Sequence, residues 1–161
     1  MDAPAQAELV RRCCRGEAAA WDELISGLYP DVTRFVFLIN PAYSLTDAND
    51  VVSGAFADAV KSIGVFGGRN PARVGLLYAA MRKAASHRPR PDRAHQSAAP
   101  QAGAGNPSES AGTLSHSELF RALDRLGGPC RDLVVLRFFG DLELSDLAPE
   151  FEVSEATLGI R

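Results

Sequence analysis

Cysteine, histidine and long apolar runs are all scarce in this 161-residue chain. The three cysteines are Cys13, Cys14 and Cys130. An odd number with an adjacent pair is no disulfide framework. Without a CxxC pair or a His/Cys cluster, no structural zinc site is expected; buried core thiols are the simpler reading. His87, His95 and His116 lie scattered in polar sequence and read as solvated. No carboxylate stands beside a histidine, a nucleophile or a glycine-rich phosphate loop, so the sequence gives no ground for an enzyme, a metal or a cofactor. No apolar run approaches the ~18–20 residues of a membrane span. The opening "MDAPAQAELV" has neither a basic nor an apolar signal region. The chain reads as cytoplasmic, with no membrane partner.

What is present is apolar residue enough for a packed core, 46% of the chain. The net charge of −3 is small, but it is unevenly spread. Residues 1–68 carry −4, residues 69–93 carry +6 and residues 94–161 carry −5. A basic strip between acidic blocks suggests one polyanion-facing surface; a solvated helix face is the plainer alternative.

Two blocks with helical periodicity flank a biased segment, "PRPDRAHQSAAPQAGAGNPSESAGT". It holds no large apolar residue and cannot offset its ordering entropy, which predicts a flexible linker over 89–113. About 25 such residues span roughly 25–30 Å on average. The expected fold is all-α: a small helical bundle over 1–88 and a second over 114–161, with a helix-turn-helix in the second. In the first block Trp21, Leu24, Ile25, Leu28 and Val32 mark one helix face. Pro30 fits a first helical turn or a kink. The run from Phe35 to Ile39 has strand propensity, but no partner strand is near, so helix is expected there too. "SLTDANDVV" starts a helix, with Ser44 or Thr46 as cap and Asp47 and Asp50 at the positive end of the dipole. Val52, Ala55, Phe56, Ala59, Val60 and Ile63 form its apolar face, and Gly64, Gly67 and Gly68 end it. A helix from about Pro71 turns Val74, Leu77, Tyr78 and Met81 inward, carries Arg73, Arg82, Lys83 and Arg88 on its other sides, and stops at Pro89.

In the second block Leu119, Phe120, Leu123 and Leu126 predict a short helix ended by "GGP", and a second follows to Gly140. A helix over residues 143–150, a turn over 151–153 and a helix opening on Ser154 then form a helix pair of the type that reads a DNA groove. Leu147, Ala148 and Val153 should pack inward, with Ser154 as cap. Glu155, Thr157, Leu158 and Arg161 should project outward, where Glu suits cytosine and Arg suits guanine. Plain core packing gives a similar pattern.

The order of motifs is more specific than any one of them. "LVRRCCRGEAAAWDELISGLYPDVTRF", "DANDVVSGAFADAV", a basic helix and "LFRALDRLGGPCRDLVVLRFFGDLELSDLAPEFEVSEATLGIR" together resemble the extracytoplasmic-function (ECF) class of bacterial sigma factors. The resemblance runs from Glu8 to Arg161 outside the biased segment. It implies a region 2 followed by a region 4, and a DNA-binding protein for transcription initiation and its regulation, with core RNA polymerase and promoter DNA as partners and an anti-sigma factor as a further one. The "DANDVV" helix is similar to the family's "DAEDLVQEVF", which docks on the polymerase clamp helices. That match implies a docking face of Asp47, Asp50, Val51, Ala55, Phe56 and Asp58. The basic helix over 73–90, with Arg73, Arg82, Lys83, Arg88 and Arg90, corresponds to the segment that captures the −10 element. Tyr78 is its one ring, for base stacking or for the core. The closing helix pair, with Ser154, Glu155, Thr157, Leu158 and Arg161, corresponds to the −35 reader.

Several positions depart from the family. Gly75-Leu76 stands for Trp-Leu, Ala80-Met81-Arg82 for "ARN", Ser53-Gly54 for Gln-Glu, and "RPRP" and Pro149 interrupt helices. The reading helix reaches Arg161 after about eight residues, near 12 Å. Either the natural chain continues, or −35 reading is weak. The alternative function is a degenerate sigma-like interaction module that binds polymerase or an anti-sigma partner without productive promoter reading.

Overall fold

The structure is a computed structural model and describes residues 3–66, 72–88 and 115–160. Among these residues there are eight helices and no strand: α1 (Ala3–Cys14), α2 (Ala18–Ile39), α3 (Leu45–Phe66), α4 (Ala72–Ser86), α5 (His116–Asp124), α6 (Gly128–Phe138), α7 (Leu144–Leu147) and α8 (Glu155–Ile160). The expected all-α class holds. The expected linker over 89–113 and the glycines at 67 and 68 lie outside the described residues. No helix is long and apolar enough to cross a membrane among the described residues.

α1 was not foreseen. Gln6, Leu9, Val10 and Cys13 recur at helical spacing and are all buried. They set α1 against α2, α3 and α4. α2 runs unbroken through the exposed Pro30, which resolves the choice between a helix start and a kink. Proline removes one helical donor, and Thr33 Oγ1 donates to the Tyr29 carbonyl at 2.8 Å in the same turn. Leu24, Leu28, Val32, Phe35, Val36 and Ile39 line its buried side. The run from Phe35 to Ile39 is helical, because its period of 3.6 buries Phe35, Val36 and Ile39 together, while Phe37 is half-buried and Leu38 exposed.

α3 buries Ala48, Val51, Val52, Ala55, Phe56 and Ala59. Val60, expected on this face, is 47% exposed instead. α4 is buried around most of its girth: Ala72, Val74, Gly75, Leu76, Leu77, Ala80 and Met81 are all buried. A helix apolar on all sides is a core helix. α4 packs against α1, α2 and α3 and meets α6 on a further side.

The second group is smaller. Ser115 caps α5 through a reciprocal capping box with Glu118. Leu126, expected on the α5 face, lies past its end and is 53% exposed. Gly127 enters α6 at φ +81°, a region that favours glycine, and a proline follows in the first turn of α6. Leu123, Leu133, Val135, Leu136, Leu142, Leu147 and Leu158 form its core. α7 is a single turn, shorter than the eight residues expected. Pro149 has no N–H with which to continue the helix, and Glu152 at φ +53° completes the break.

Two glycines near α6 differ sharply in their surroundings. A Cβ on Gly140 would stand 2.6 Å from the Leu136 carbonyl and 3.3 Å from Leu77, whereas one on Gly128 would meet nothing within 4 Å. Gly140→Ala should lower stability by about 1–3 kcal/mol through overpacking. Gly128→Ala should be neutral or stabilising by up to about 1 kcal/mol. Thermal or urea unfolding of the two variants checks the contrast.

Candidate nucleic-acid and protein interface

The α2–α3 connection and the end of α4 meet in one polar cluster. The α3 N-terminus leaves backbone N–H groups without helical partners. Ser44, just before the helix, accepts from Asp47 N at 3.1 Å, and Asp47 Oδ2 takes the Ser44 hydroxyl at 2.6 Å and its N–H at 3.3 Å. Asp47 Oδ1 lies 3.1 Å from His87 Nε2, beyond the end of α4. The His87 ring sits edge-on to Tyr43 at 5.4 Å, and Tyr43 donates its hydroxyl to the Ala84 carbonyl at 2.9 Å. Ser44 thus takes the capping role that was open between it and Thr46. His87 was expected to be solvated, but it is largely covered and holds two chain segments together.

This cluster and the α3 core bury Asp47, Val51, Ala55 and Phe56 of the expected docking face. Asp47 is 6% exposed and engaged in capping. Val51, Ala55 and Phe56 are buried, with Phe56 stacked against Tyr29 at 6.0 Å. Their helical spacing turns them to the other helices of the block. Asp50 is exposed beside Asn49, and Asp58 is half-exposed. The outward face of α3 therefore carries Asn49, Asp50, Ser53, Ala57, Val60 and Lys61.

The expected basic helix is also rearranged. Arg73 does not face solvent. Its Nε lies 2.5 Å from Asp31 Oδ2 on α2, and its Nη2 donates to the Gly140 carbonyl at 2.8 Å. Its backbone N–H donates to the buried Gln6 side chain at 3.0 Å. Lys83 pairs with Asp58 at 2.8 Å, and its aliphatic stem would touch a Cβ on Gly54 at 3.5 Å. Gly54 thus lies where a basic side chain crosses from α4 to α3. The Lys83 ammonium holds the Asp58 carboxyl below its usual range. Arg82 and Arg88 remain exposed, and Arg90 lies outside the described residues. Tyr78, open between base stacking and core, is half-buried: its ring meets Phe151 edge-on at 6.3 Å, with the Arg82 guanidinium 6.0 Å from its centre.

These groups border one cleft of about 430 Å³, where Asp58, Tyr78, Arg82, Lys83 and Ser86 face Glu150 of the second group. The fold brings an expected docking carboxylate and two expected −10 cations to one place, where they partly neutralise each other.

At the far end, Ser154 Oγ accepts from Thr157 N at 3.2 Å and shares a hydroxyl contact with Thr157 Oγ1 at 2.8 Å. Glu155 and Thr157 are exposed, as expected. Leu158, expected to project outward, is 4% exposed, because it fills the core behind α7. Leu147 is buried as expected, while Ala148 and Val153 are half-buried. Arg161 lies outside the described residues.

The cysteines divide. Cys13 is buried and its thiol is pushed up by desolvation; Cys14 is exposed and Cys130 half-covered, so only Cys13 is a core thiol. Asp31 and Gln6 drew no attention in the sequence, and Gly140 was read as a helix end alone. Gln6 could have been found from its helical spacing to Leu9, Val10 and Cys13. The Asp31–Arg73 pair spans 42 positions and left no local signal.

Comparison with protein families, with curated proteins and with solved structures gave no match for this chain.

Hydrogen bonds from Ser44, and then the contact with His87, hold the Asp47 carboxyl below its usual range despite an opposing desolvation penalty. A depressed folded pKa gives stability that is present above the unfolded value, about 3.9, and is lost as pH falls through the folded value. Asp47→Asn should therefore be less stable than the parent at neutral pH by about 1–2 kcal/mol, the usual cost of a lost cap. The difference should shrink below pH ~4. Unfolding midpoints measured from pH 7 down to pH 2 check this.

Proposed function

We propose that this chain is an ECF-type sigma subunit, one that binds core RNA polymerase and directs it to promoter DNA in transcription initiation. In this reading the outward face of α3, centred on Asn49 and Asp50, meets the polymerase clamp helices. Arg82 and Arg88 on α4 and beyond it meet the −10 strand. Ser154, Glu155 and Thr157 meet the −35 element. The observation that carries the reading is the helix pair at the end of the chain. A one-turn α7, a turn broken by Glu152 at φ +53° and a Ser154-capped α8 occur where the motif order calls for a DNA-reading pair. The acidic entry to α3 and the cationic end of α4 fall in the first helical block, in the same order as in the family.

One observation favours the second reading, an interaction module without productive promoter contact. Residues 141–160 carry Asp141, Glu143, Asp146, Glu150, Glu152 and Glu155 and no Lys or Arg. Phosphate neutralisation dominates duplex affinity, so this block attracts DNA weakly and suits a basic protein surface.

Core polymerase mixed with the chain separates the readings. The sigma reading expects a stable complex and promoter-dependent transcripts. Asp50→Arg should weaken the complex by tenfold or more, since a reversed charge in an interface costs upwards of ~1.4 kcal/mol. Paired substitution of Glu155 and Thr157 by Ala should alter promoter choice and leave the complex intact. A complex without transcripts would select the interaction module, and no complex would sink both. Binding assays and run-off transcription provide the readouts.

A further inference from the structure

Helix α6 is apolar on two sides. Leu133, Val135 and Leu136 are buried in the second group. On the opposite side Cys130, Val134 and Phe138 recur every four residues and make one stripe down the outward face. Cys130 and Val134 are half-buried. Phe138 is 76% exposed, more than any other large apolar side chain among the described residues. Leu126, 53% exposed, lies just before the N-terminal end of the same helix. A solitary exposed apolar residue needs no explanation, but a stripe of them on one helix marks an interaction site. The biased segment over 89–113 is a poor cover for it, since that segment holds no large apolar residue.

We infer that this face pairs with the same face of a second copy of the chain, the two α6 helices running antiparallel about Val134. A twofold interface requires a surface that complements itself, so that each contact occurs twice with the roles exchanged. Val134 lies midway between Cys130 and Phe138. An antiparallel partner therefore sets Val134 against Val134, and the large Phe138 of each protomer over the small Cys130 of the other. Charge follows the same rule. Residues 115–131, which lead into α6 and open it, carry Arg121, Arg125 and Arg131 against Glu118 and Asp124. Residues 141–160, which follow it, carry six carboxylates and no Lys or Arg. Antiparallel pairing brings the more basic end of one protomer to the acidic end of the other and opposes the two helix dipoles. A parallel pair would bring like charges together. α6 has 11 residues, roughly 16 Å of helix, so the contact is smaller than the ~1,200 Å² of a standard interface and the dimer is weak. The inference does not rest on the sigma reading.

Sedimentation equilibrium of the whole chain tests the pairing. The mass should rise from that of one chain to that of two between about 1 μM and roughly 500 μM, the range in which a small contact assembles. Circular dichroism checks the fold of each variant. Phe138→Glu should keep its helicity and weaken the dimer by about tenfold or more. Arg125→Glu should weaken it by about fivefold, and by less at high salt. The register is read by oxidation in a Cys14→Ser background, which removes the exposed thiol of α1. Val134→Cys should then give a disulfide between copies. Cys130 alone should give none, because the antiparallel register holds the two Cys130 positions about 12 Å apart along the axis, beyond the ~7 Å reach of a disulfide. A dimer that Phe138→Glu leaves intact would overturn the surface. A disulfide between the two Cys130 thiols, without one from Val134→Cys, would overturn the antiparallel register. A chain monomeric throughout would overturn the pairing itself, and loss of core-polymerase binding by Phe138→Glu in that case would give the face to polymerase instead.

Discussion

The burial of α4 is the constraint on which the rest of the molecule depends. Leu76, Leu77 and Ala80 are almost wholly enclosed, and Val74 and Met81 nearly so. At about 25 cal/mol per Å² of apolar surface, each large side chain among them contributes roughly 1.5–3 kcal/mol. Such a helix has no broad outward face. Its charged groups must leave at the ends or be matched within the fold. Arg73 is matched near the start of α4 by Asp31 and Gly140, and Lys83 near its end by Asp58. Among the described residues of this segment, Arg82 on the helix and Arg88 beyond it are exposed.

The same logic explains why most of the expected face of the acidic helix α3 is buried. Val51, Ala55 and Phe56 share the period that marks a core face, and a docking face made of them would leave the block without a core. Apolar side chains on a helix satisfy either the partner or the interior, and burial of this much area against the neighbouring helices decides for the interior. What remains for a partner is polar: Asn49, Asp50 and Ser53, with Lys61 further along. A surface of this kind favours charge complementarity and on-rate over apolar affinity.

The parts of the fold that were legible in the sequence are those set by local period and local chemistry. Leu24, Leu28 and Val32 marked α2, and the Ser44 and Ser154 starts were readable because a cap is a contact over three residues. α1 was missed because its buried face includes a glutamine and a cysteine, which a search for large apolar residues passes over. Leu158 was misplaced because a two-turn helix gives too few positions to fix its phase. The Asp31–Arg73 and Asp47–His87 pairs join residues about 40 positions apart, and only the folded chain shows them. Charge counted along the sequence therefore overstated both candidate surfaces, since pairing at long range removed charges from each.

Arg73 and Lys83 also differ in what their pairing allows. The Lys83–Asp58 pair is two-fifths exposed and lies within one helical group, so solvent screens it and its loss changes little beyond local charge. The Arg73–Asp31 pair is also within the first helical group but more covered, and Arg73 adds one hydrogen bond to the Gly140 carbonyl of the second group; hydrogen bonds to charged groups contribute about 1.5–3 kcal/mol each. The two helical groups are joined chiefly by the apolar cluster that runs through both, in which Leu77, Met81, Phe120 and Val135 take part, and the Arg73–Gly140 hydrogen bond lies beside it. Closing the interior is thus the work of apolar packing, and the charged pairs fix its orientation.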